Sequence, residues 1–584
     1  MAERRWQVAD PAPSEVRERF AGWHPVAVDL LYRRGIAAPE AAETFLDPQY
    51  ATALHDPFLF RDMQKAVDRL MRAIEKRETV TIHGDYDADG VDASALLYIL
   101  LKKLGAVIDV FLPHREDDGY GIITRTVEML AARGTTVMIT CDCGIANRAE
   151  IARGNELGID TIITDHHAMP AELPEAHATI HPLVPGETYP DKGLAGGGVA
   201  FKLACALLSE ARKKFPERTA DMPLGWEKWL LEFAAISSIG DVVPLLGETR
   251  AIVKYGLVVL NKHRRPGMRK LLELTGHIDK LGLMKPKIVD SETVAFQICP
   301  RINAAGRMHH AEDAFRLLTA EDDDEATTFA QRLQDLNKDR QKAVERMMLE
   351  ARRQVVDERQ DERHAIVVAG EDWPAGLVGL VAGRIAEQFY RPTFALGKKE
   401  TGWVGSGRGI PEFDMMTALN AMPELFVKYG GHPQACGFTV KPEMLPMFRE
   451  RMSAHATSLL AQAELLPTLH LDAQVRLADI GWELHEALER FQPFGEKNPE
   501  PRFLARRVTV DSFGVVGKDG GHLRLSVRGE DGTVRRTIGF RMGEWATRLK
   551  SGDTIDVAFT LGTNEWNGKS ELQLKIVDLR PHVP

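Results

Sequence analysis

The densest group of reactive side chains is His83-Gly-Asp85-Tyr-Asp87-Ala-Asp89-Gly90, four potential metal ligands in seven residues. Three carboxylates this close repel one another and are costly to bury unless a cation sits among them. Asp85, Asp87, Asp89 and Gly90 match the first half of a calcium-binding EF-hand loop. The closing position of that loop falls on Leu96, where a bidentate Glu is required, and the preceding residues read as a strand. The calcium loop is excluded. Two further strand-like runs end in the same way. Thr135 to Thr140 leads into Cys141-Asp142-Cys143-Gly144, and Asp160 to Thr164 leads into Asp165-His166-His167. One acidic residue after a strand is an ordinary turn; three strands ending in Asp or His point to a metal centre. Asp241 follows Gly240 at the end of a helical stretch, where the macrodipole disfavours a carboxylate and a nearby cation would relieve it. Oxygen-rich ligand sets with one or two imidazoles suit Mn²⁺ or Mg²⁺ better than structural zinc. Cys141-x-Cys143 has no second cysteine pair nearby to complete a zinc finger.

These residues need elements that bring them together. Short β-rich runs alternate with helical patterns from Thr79 to Thr164, with helices expected over Asp92–Leu104, Thr124–Arg133 and Asn147–Leu157. Such alternation implies βαβ units and a parallel sheet, whose strand carboxyl ends face one crevice. A glycine-rich loop, Gly193 to Gly198, precedes a helix over Val199–Lys214, and Trp226–Ile239 reads as another. Ala311 to Asp357 reads as one long connecting helix, followed by a second α/β segment with strands at His364–Ala369 and Pro392–Leu396 around a helix at Leu377–Phe389. Beyond Leu466, strands at Arg506–Val510, His522–Val527 and Glu571–Val577 and an Asn567-Gly568 hairpin signal suggest a small barrel of about five strands.

The whole chain has 584 residues, 74 Lys and Arg, 84 Asp and Glu, and a formal charge of −10. That balance excludes a protein that coats nucleic acid by bulk charge, so any polyanion site is local. Between Arg502 and Lys550 the balance reverses, with eleven basic residues against five acidic ones and Phe503, Phe513 and Phe540 among them; Trp566 follows nearby. Cations and rings on a small barrel suit single-stranded nucleic acid; the competing reading is a solvated arginine face over an aromatic core. Five scattered cysteines argue against a disulfide framework and fit a reducing cytosol. No apolar run approaches the roughly 18 residues that span a bilayer. The start, MAERRWQVAD, has no apolar h-region behind its charges, so no secretory signal is expected.

Two glycine-rich stretches stand apart: Gly405-Ser-Gly-Arg408-Gly and Gly430-Gly-His432-Pro-Gln-Ala-Cys-Gly437, together with Arg301-Ile-Asn303-Ala-Ala-Gly306-Arg307. Small residues let backbone N–H groups approach a phosphate, and Arg can bind it bidentately. Arg301 and Arg307 are expected to flank a tight turn and to act likewise. With the ordered set His83, Asp87, Asp89, Asp142, Asp165-His166-His167 and Asp241, the chain resembles the DHH phosphoesterase superfamily, in its branch of single-strand-specific DNA exonucleases. The resemblance covers roughly residues 45 to 580.

The resemblance implies an α/β protein: a parallel-sheet DHH domain and a smaller α/β DHHA1 domain joined by a long helix, with a C-terminal OB-like β-barrel. The boundaries expected are an N-terminal segment 1–45, DHH 46–265, helical connector 266–357, DHHA1 358–464 and OB 465–584. It implies two divalent cations, Mn²⁺ or Mg²⁺. His83 and Asp87 would bind one, Asp89, His166 and Asp241 the other, and Asp142 would bridge them. His167 would sit beside the scissile phosphate and Asp165 would support the ligands; Asp85 has no assigned role. Ser406, Gly407 and Arg408, with Arg301, Asn303 and Arg307, would hold substrate, and Ser406 and Arg408 would anchor a terminal 5′-phosphate. Gly431 and His432 would contact the substrate backbone. The implied activity is 5′-to-3′ degradation of single-stranded DNA to mononucleotides in recombination and repair. Implied partners are a single-strand-binding protein and a RecQ-type helicase, with a cytoplasmic monomer as the default. The alternatives are a short-oligonucleotide or cyclic-dinucleotide phosphodiesterase, a pyrophosphatase, a structural metal domain, and an inert replication scaffold. The scaffold is disfavoured by the intact ligand set, and the compact phosphodiesterases by the extra basic segment.

Overall fold

The structure is a computed structural model that describes residues 4–279, 287–566 and 569–583, with side chains omitted at 565, 566 and 569. The Asn567-Gly568 hairpin signal therefore lies outside the described residues, as does the side chain of Trp566. Two compact units emerge, one over 55–243 and 255–467, the other over 4–54, 244–254 and 468–584. The first strand, β1 (Arg5–Val8), belongs to the second unit.

The first unit opens with helix α1 (Met63–Lys76) and strand β2 (Thr79–Gly84), then α2 (Ala88–Lys103), β3 (Val107–Phe111), α3 (Thr124–Ala132), β4 (Thr135–Cys141), α4 (Arg148–Glu156), β5 (Asp160–Thr164) and β6 (Ala178–Ile180). The five strands form a wholly parallel sheet in the order β3-β2-β4-β5-β6. Chain order reverses beside β2, which places a crevice at the carboxyl end of that strand. Register fixes the level of the strand ends: Gly84 pairs with Cys141, and Cys141 with Thr164. The residues that follow each strand emerge side by side. Helix α5 (Gly196–Lys214) starts inside its glycine run rather than after it, and α6 (Leu231–Gly240) ends at Asp241. Both pack on α2, whose Leu96, Leu97, Leu100 and Leu101 are wholly buried.

Helix α7 (Gly247–Leu260) is followed by α8 (Pro266–Leu274) and α9 (Cys299–Met308). The expected single helix from Ala311 to Asp357 is two: α10 (Glu312–Thr319) and the 35-residue α11 (Asp323–Asp357). The break falls at Ala320, and Asp322 caps the new helix through the N–H groups of Asp324 and Glu325. Strands β7 (Ile366–Gly370), β8 (Thr393–Lys399), β9 (Gly402–Arg408), β10 (Phe426–His432) and β11 (Ala435–Val440) form a mixed sheet beside α12 (Ala375–Phe389). Only β7 and β8 pair in parallel; the rest is antiparallel.

In the second unit, β12 (Thr468–Leu471) pairs in parallel with β1, and β13 (Ala473–Gln474) extends β14. Strands β14 (Phe503–Val516), β15 (His522–Arg528), β16 (Val534–Gly539), β17 (Thr554–Trp566) and β18 (Lys569–Pro581) close into a barrel, because β17 pairs with both β18 and β14. The apolar core of this unit joins Phe20, Leu30 and Leu31 to Phe491, Phe503, Val510 and Phe559. Phe503 is core, whereas Phe513 and Phe540 are exposed, so the aromatic residues divide between the two readings of this segment.

Candidate active site

The loop after β2 is shaped by its own carboxylates. Asp87 caps α2, its Oδ1 accepting from the N–H groups of Asp89 and Gly90 at 3.0 and 3.3 Å. Asp89 is fully buried and receives three donors: Gly196 N at 2.8 Å, Gly197 N at 2.7 Å and Ser237 Oγ at 2.6 Å. After β4, Asp142 adopts a left-handed φ of 63° and donates its N–H to Thr164 O at 2.9 Å. That conformation is uncommon for a residue with a Cβ and concentrates at functional sites. After β5, Asp165 Oδ1 accepts from His166 N, His167 N and His167 Nδ1, which holds the two histidines, while its Oδ2 accepts from Ile145 N.

Three overlapping clusters result: Asp85 with Asp87 and Asp142, Asp89 with His166 and Asp241, and Asp142 with His166 and His167, the ligand atoms of each within 4.8 Å of one another. His166 Nε2 stands 3.1 Å from Asp142, 3.4 Å from Asp89 and 3.5 Å from Asp241. His83 joins none of these clusters. Its ring is buried, Nδ1 lies 3.7 Å from Cys143 Sγ, and Nε2 has no hydrogen-bond partner.

The electrostatics demand a cation. Burial, then Asp89 and Asp87, push Asp142 well above the usual carboxylate range. Burial, then the neighbouring acids, likewise raise Asp85, Asp87 and Asp241, the last to about 8. Burial lowers His83 to about 4 and also lowers His166, leaving neutral imidazoles. Burial also opposes charge on Asp165 and His167, yet their mutual hydrogen bond and attraction win, holding Asp165 near 2 and His167 near 9. His83 Nε2, Asp85 Oδ1, Asp142 Oδ1 and His166 Nε2 are buried without hydrogen-bond partners. Neutral imidazoles and mutually repelling carboxylates with orphaned donor atoms fit divalent cations.

The glycine-rich motifs are built differently from the expectation. Gly405 to Arg408 is part of strand β9, not a loop. Side chains alternate across a strand, so Ser406 and Arg408 share one face while Gly405 and Gly407 back onto Phe438, Phe394 and Met415. A Cβ at Gly405 would stand 2.5 Å from the Phe438 ring. Arg408 Nη1 donates to Ser406 Oγ at 2.9 Å. Register aligns Arg408 with Ala435 and Ala435 with His432, and Gly407 with Cys436 and Cys436 with Gly431. Exposed His432 and Gly431 thus lie two strands, about 9.5 Å, from Arg408 and Gly407.

Arg301 to Arg307 is likewise helix α9, not a tight turn. Gly306 permits it, since a Cβ there would meet Tyr86 O at 2.4 Å. Asn303 Oδ1 accepts from Ala88 N at 2.8 Å and so clamps the start of α2. Arg301 donates through Nε to Gln334 Oε1 and through Nη1 to Gln297 O. Arg307 donates to Gly376 O at 2.9 Å, and burial, then Arg115, with Arg340 and Arg408 adding to it, lower it to about 10. Among the described residues, none of Arg115, Arg307, Arg340 and Arg408 has a carboxylate partner within an ion-pair distance. Arg115 stacks over Tyr86 at 3.9 Å and its Nε is buried without a partner. Sequence reasoning missed Arg115, Arg340, Ser237 and Tyr120, whose hydroxyl lies 3.1 Å from His167 Nδ1. A lone Arg, Ser or Tyr carries no spacing signal.

Residues 79–224 match the DHH family, N-terminal domain, residues 362–457 the DHHA1 domain, and residues 471–578 the RecJ OB domain. The chain is 36% identical over 578 residues to the single-stranded-DNA-specific exonuclease RecJ of Bacillus subtilis, covering 98% of the chain and 70% of that relative. The chain belongs to the RecJ family. The RecJ of Thermus thermophilus crystallised with Mn²⁺ matches with a TM-score of 0.82 and 30% identity, over 99% of this chain and 80% of that one. Its Mg²⁺ complex matches with a TM-score of 0.76 and 28% identity, over 99% and 79%. RecJ structures thus carry either cation, in keeping with the oxygen-rich cluster described above.

Proposed function

We infer that the chain is a metal-dependent exonuclease specific for single-stranded DNA, acting in recombination and repair. The observation that carries this is the buried cluster of orphaned carboxylate and imidazole donors beside arginines that have no carboxylate partner. His83 and Asp87, with Asp85 beside them, would hold one divalent cation; Asp89, His166 and Asp241 would hold the other. Asp142, which belongs to two of the clusters, is suited to bridge. Two such cations supply an activated water and neutralise charge at both ends of an in-line displacement. The chain's own residues do the remainder. His167 is kept protonated by Asp165, which engages Nδ1 and leaves Nε2 to face a phosphoryl oxygen. Water adds to phosphorus and the P–O3′ bond breaks, which frees a 5′-mononucleotide and leaves a new 5′-phosphate on the shortened strand. Ser406 and Arg408 would grip that terminal phosphate, while Arg115, Arg307 and Arg340 line the approach and His432 and Gly431 border it. Polarity from the 5′ end follows from this anchor. The same reading makes the protein a cytoplasmic monomer with a single-strand-binding protein and a RecQ-type helicase as partners.

The test uses one strand labelled at its 5′ end and another labelled at its 3′ end, each with Mn²⁺ or with EDTA. Labelled mononucleotide from the first and a steadily shortening ladder from the second, both only with Mn²⁺, are expected. Activity confined to di- to tetranucleotides would assign the protein to the short-oligonucleotide branch instead. Arg408→Ala is expected to reduce the preference for 5′-phosphorylated over 5′-hydroxyl strands, and an unchanged ratio would refute the anchor.

A further inference from the structure

Cys143 follows Asp142 and precedes Gly144, whose φ of 110° turns the chain sharply after β4. Thr140, which pairs with His83 across β4 and β2, donates its hydroxyl to Cys143 O at 2.7 Å. A Cβ at Gly144 would stand 2.8 Å from that hydroxyl, so glycine keeps the turn tight. The turn brings the Cys143 side chain against His83. Its Sγ lies 3.7 Å from His83 Nδ1 and 3.8 Å from His83 O, and the thiol is wholly buried. Burial, then Asp165, Asp85 and Asp142, push its pKa well above the ordinary thiol value. The sulfur therefore keeps its proton, a weak donor and acceptor rather than a thiolate ligand.

One thiol proton and one imidazole proton can be arranged in two ways. With the ring proton on Nε2, the S–H serves Nδ1, and His83 O goes without it. A buried N–H then stands where a cation needs a lone pair. With the ring proton on Nδ1, that N–H donates to Sγ and the S–H donates to His83 O. Both contacts are used, and Nε2, buried without a hydrogen-bond partner among the described residues, is left as a bare acceptor. The hydrogen bond made by one nitrogen of a ligating histidine sets which form the other takes. We propose that Cys143 is a positioning residue, whose neutral thiol holds His83 in the Nδ1–H form and so presents Nε2 to a divalent cation. The proposal rests on the assignment of His83 to a cation. A carboxylate, the commoner partner of such a histidine, would here add repulsion to Asp85, Asp87, Asp142 and Asp165. A thiol adds none.

The lock can be read without metal. Full-length protein labelled with ¹⁵N-histidine is examined by NMR in EDTA at about pH 8, with the His83 signals assigned by their loss in His83→Ala. A protonated Nδ1 and an unprotonated Nε2 are expected. Histidine in water favours the opposite form, and finding that form at His83 would overturn the proposal. This spectrum needs no change at Cys143, so it decides the matter even if Cys143→Ala misfolds. Mn²⁺ binding, followed as free Mn²⁺ by electron paramagnetic resonance, tests the consequence. Cys143→Ala is expected to weaken one of two bound ions by about tenfold or more, and to add nothing in the His83→Ala background. Unchanged affinity, or equal weakening with and without His83, would show that the thiol does not act through the imidazole. If His83→Ala instead binds both ions like the wild type, the ligand assignment itself fails, whichever form the spectrum shows.

Discussion

Asp89 shows how a single ligand is oriented. Two backbone N–H groups and the Ser237 hydroxyl occupy its oxygens from outside the cluster, so the carboxylate cannot rotate away from His166. Groups that orient a ligand typically change metal affinity 10- to 100-fold when removed. Ser237→Ala is expected to weaken Mn²⁺ binding by about tenfold, read as free Mn²⁺ by electron paramagnetic resonance, while Ser237→Thr retains most of it. A second prediction comes from the raised carboxylates. In EDTA these carboxylates keep protons that the unfolded chain has lost, so their contribution to stability falls as pH climbs from about 4, while the neutral His83 and His166 oppose that fall up to about 6.5. For Asp241 that loss extends through about 8. Cations need the deprotonated ligands, so the gain in melting temperature on adding Mn²⁺ should grow over the same interval. A gain independent of pH would mean that these carboxylates do not bind the ion.

At the scale of elements, the strand ends are legible in the sequence because period and punctuation coincide there: apolar runs stop at Asp or His. The phosphate motifs are not. Gly405-Ser-Gly-Arg408 reads as a loop because glycine is depleted in strands, yet here the glycines clear space for Phe438 and Phe394 beneath β9. Arg301 to Arg307 reads as a turn for the same reason, while Gly306 instead lets α9 press on Tyr86. Gly306→Ala should then lift α9 from the metal loop and loosen the Asn303 clamp on Ala88. The expected outcome is a lower melting temperature together with weaker Mn²⁺ binding, measured by thermal shift with and without metal. A loss of stability alone, with metal affinity intact, would show that α9 does not position the loop.

For the molecule as a whole, the N-terminal segment has a role that sequence reading left blank. Residues 4–54 complete the unit that holds the barrel, through β1 on β12 and through Phe20, Leu30 and Leu31 in its core. Arg250 is the largest fully buried side chain here; it donates to the carbonyls of Phe45, Phe491, Gln492 and Pro493 and stacks on Phe45 at 4.1 Å. Removing it orphans buried acceptors, each costing about 1–3 kcal/mol. Arg250→Met is expected to lower stability by about 3 kcal/mol or more and to expose residues 4–54 to protease. Unchanged proteolysis would show that the clamp is dispensable.

The sequence by itself determined the chemistry and the class of fold. Ligand types and their place after strands are local facts, and a parallel sheet turns strand order into a shared crevice. The tertiary structure alone decided which arginines are left without carboxylate partners and which Asn and Ser orient ligands. It also decided what the N-terminal segment packs against. Those are contacts between residues far apart in the chain, such as Ser237 with Asp89 or Arg250 with Phe491, and no periodicity or spacing in a single sequence encodes them.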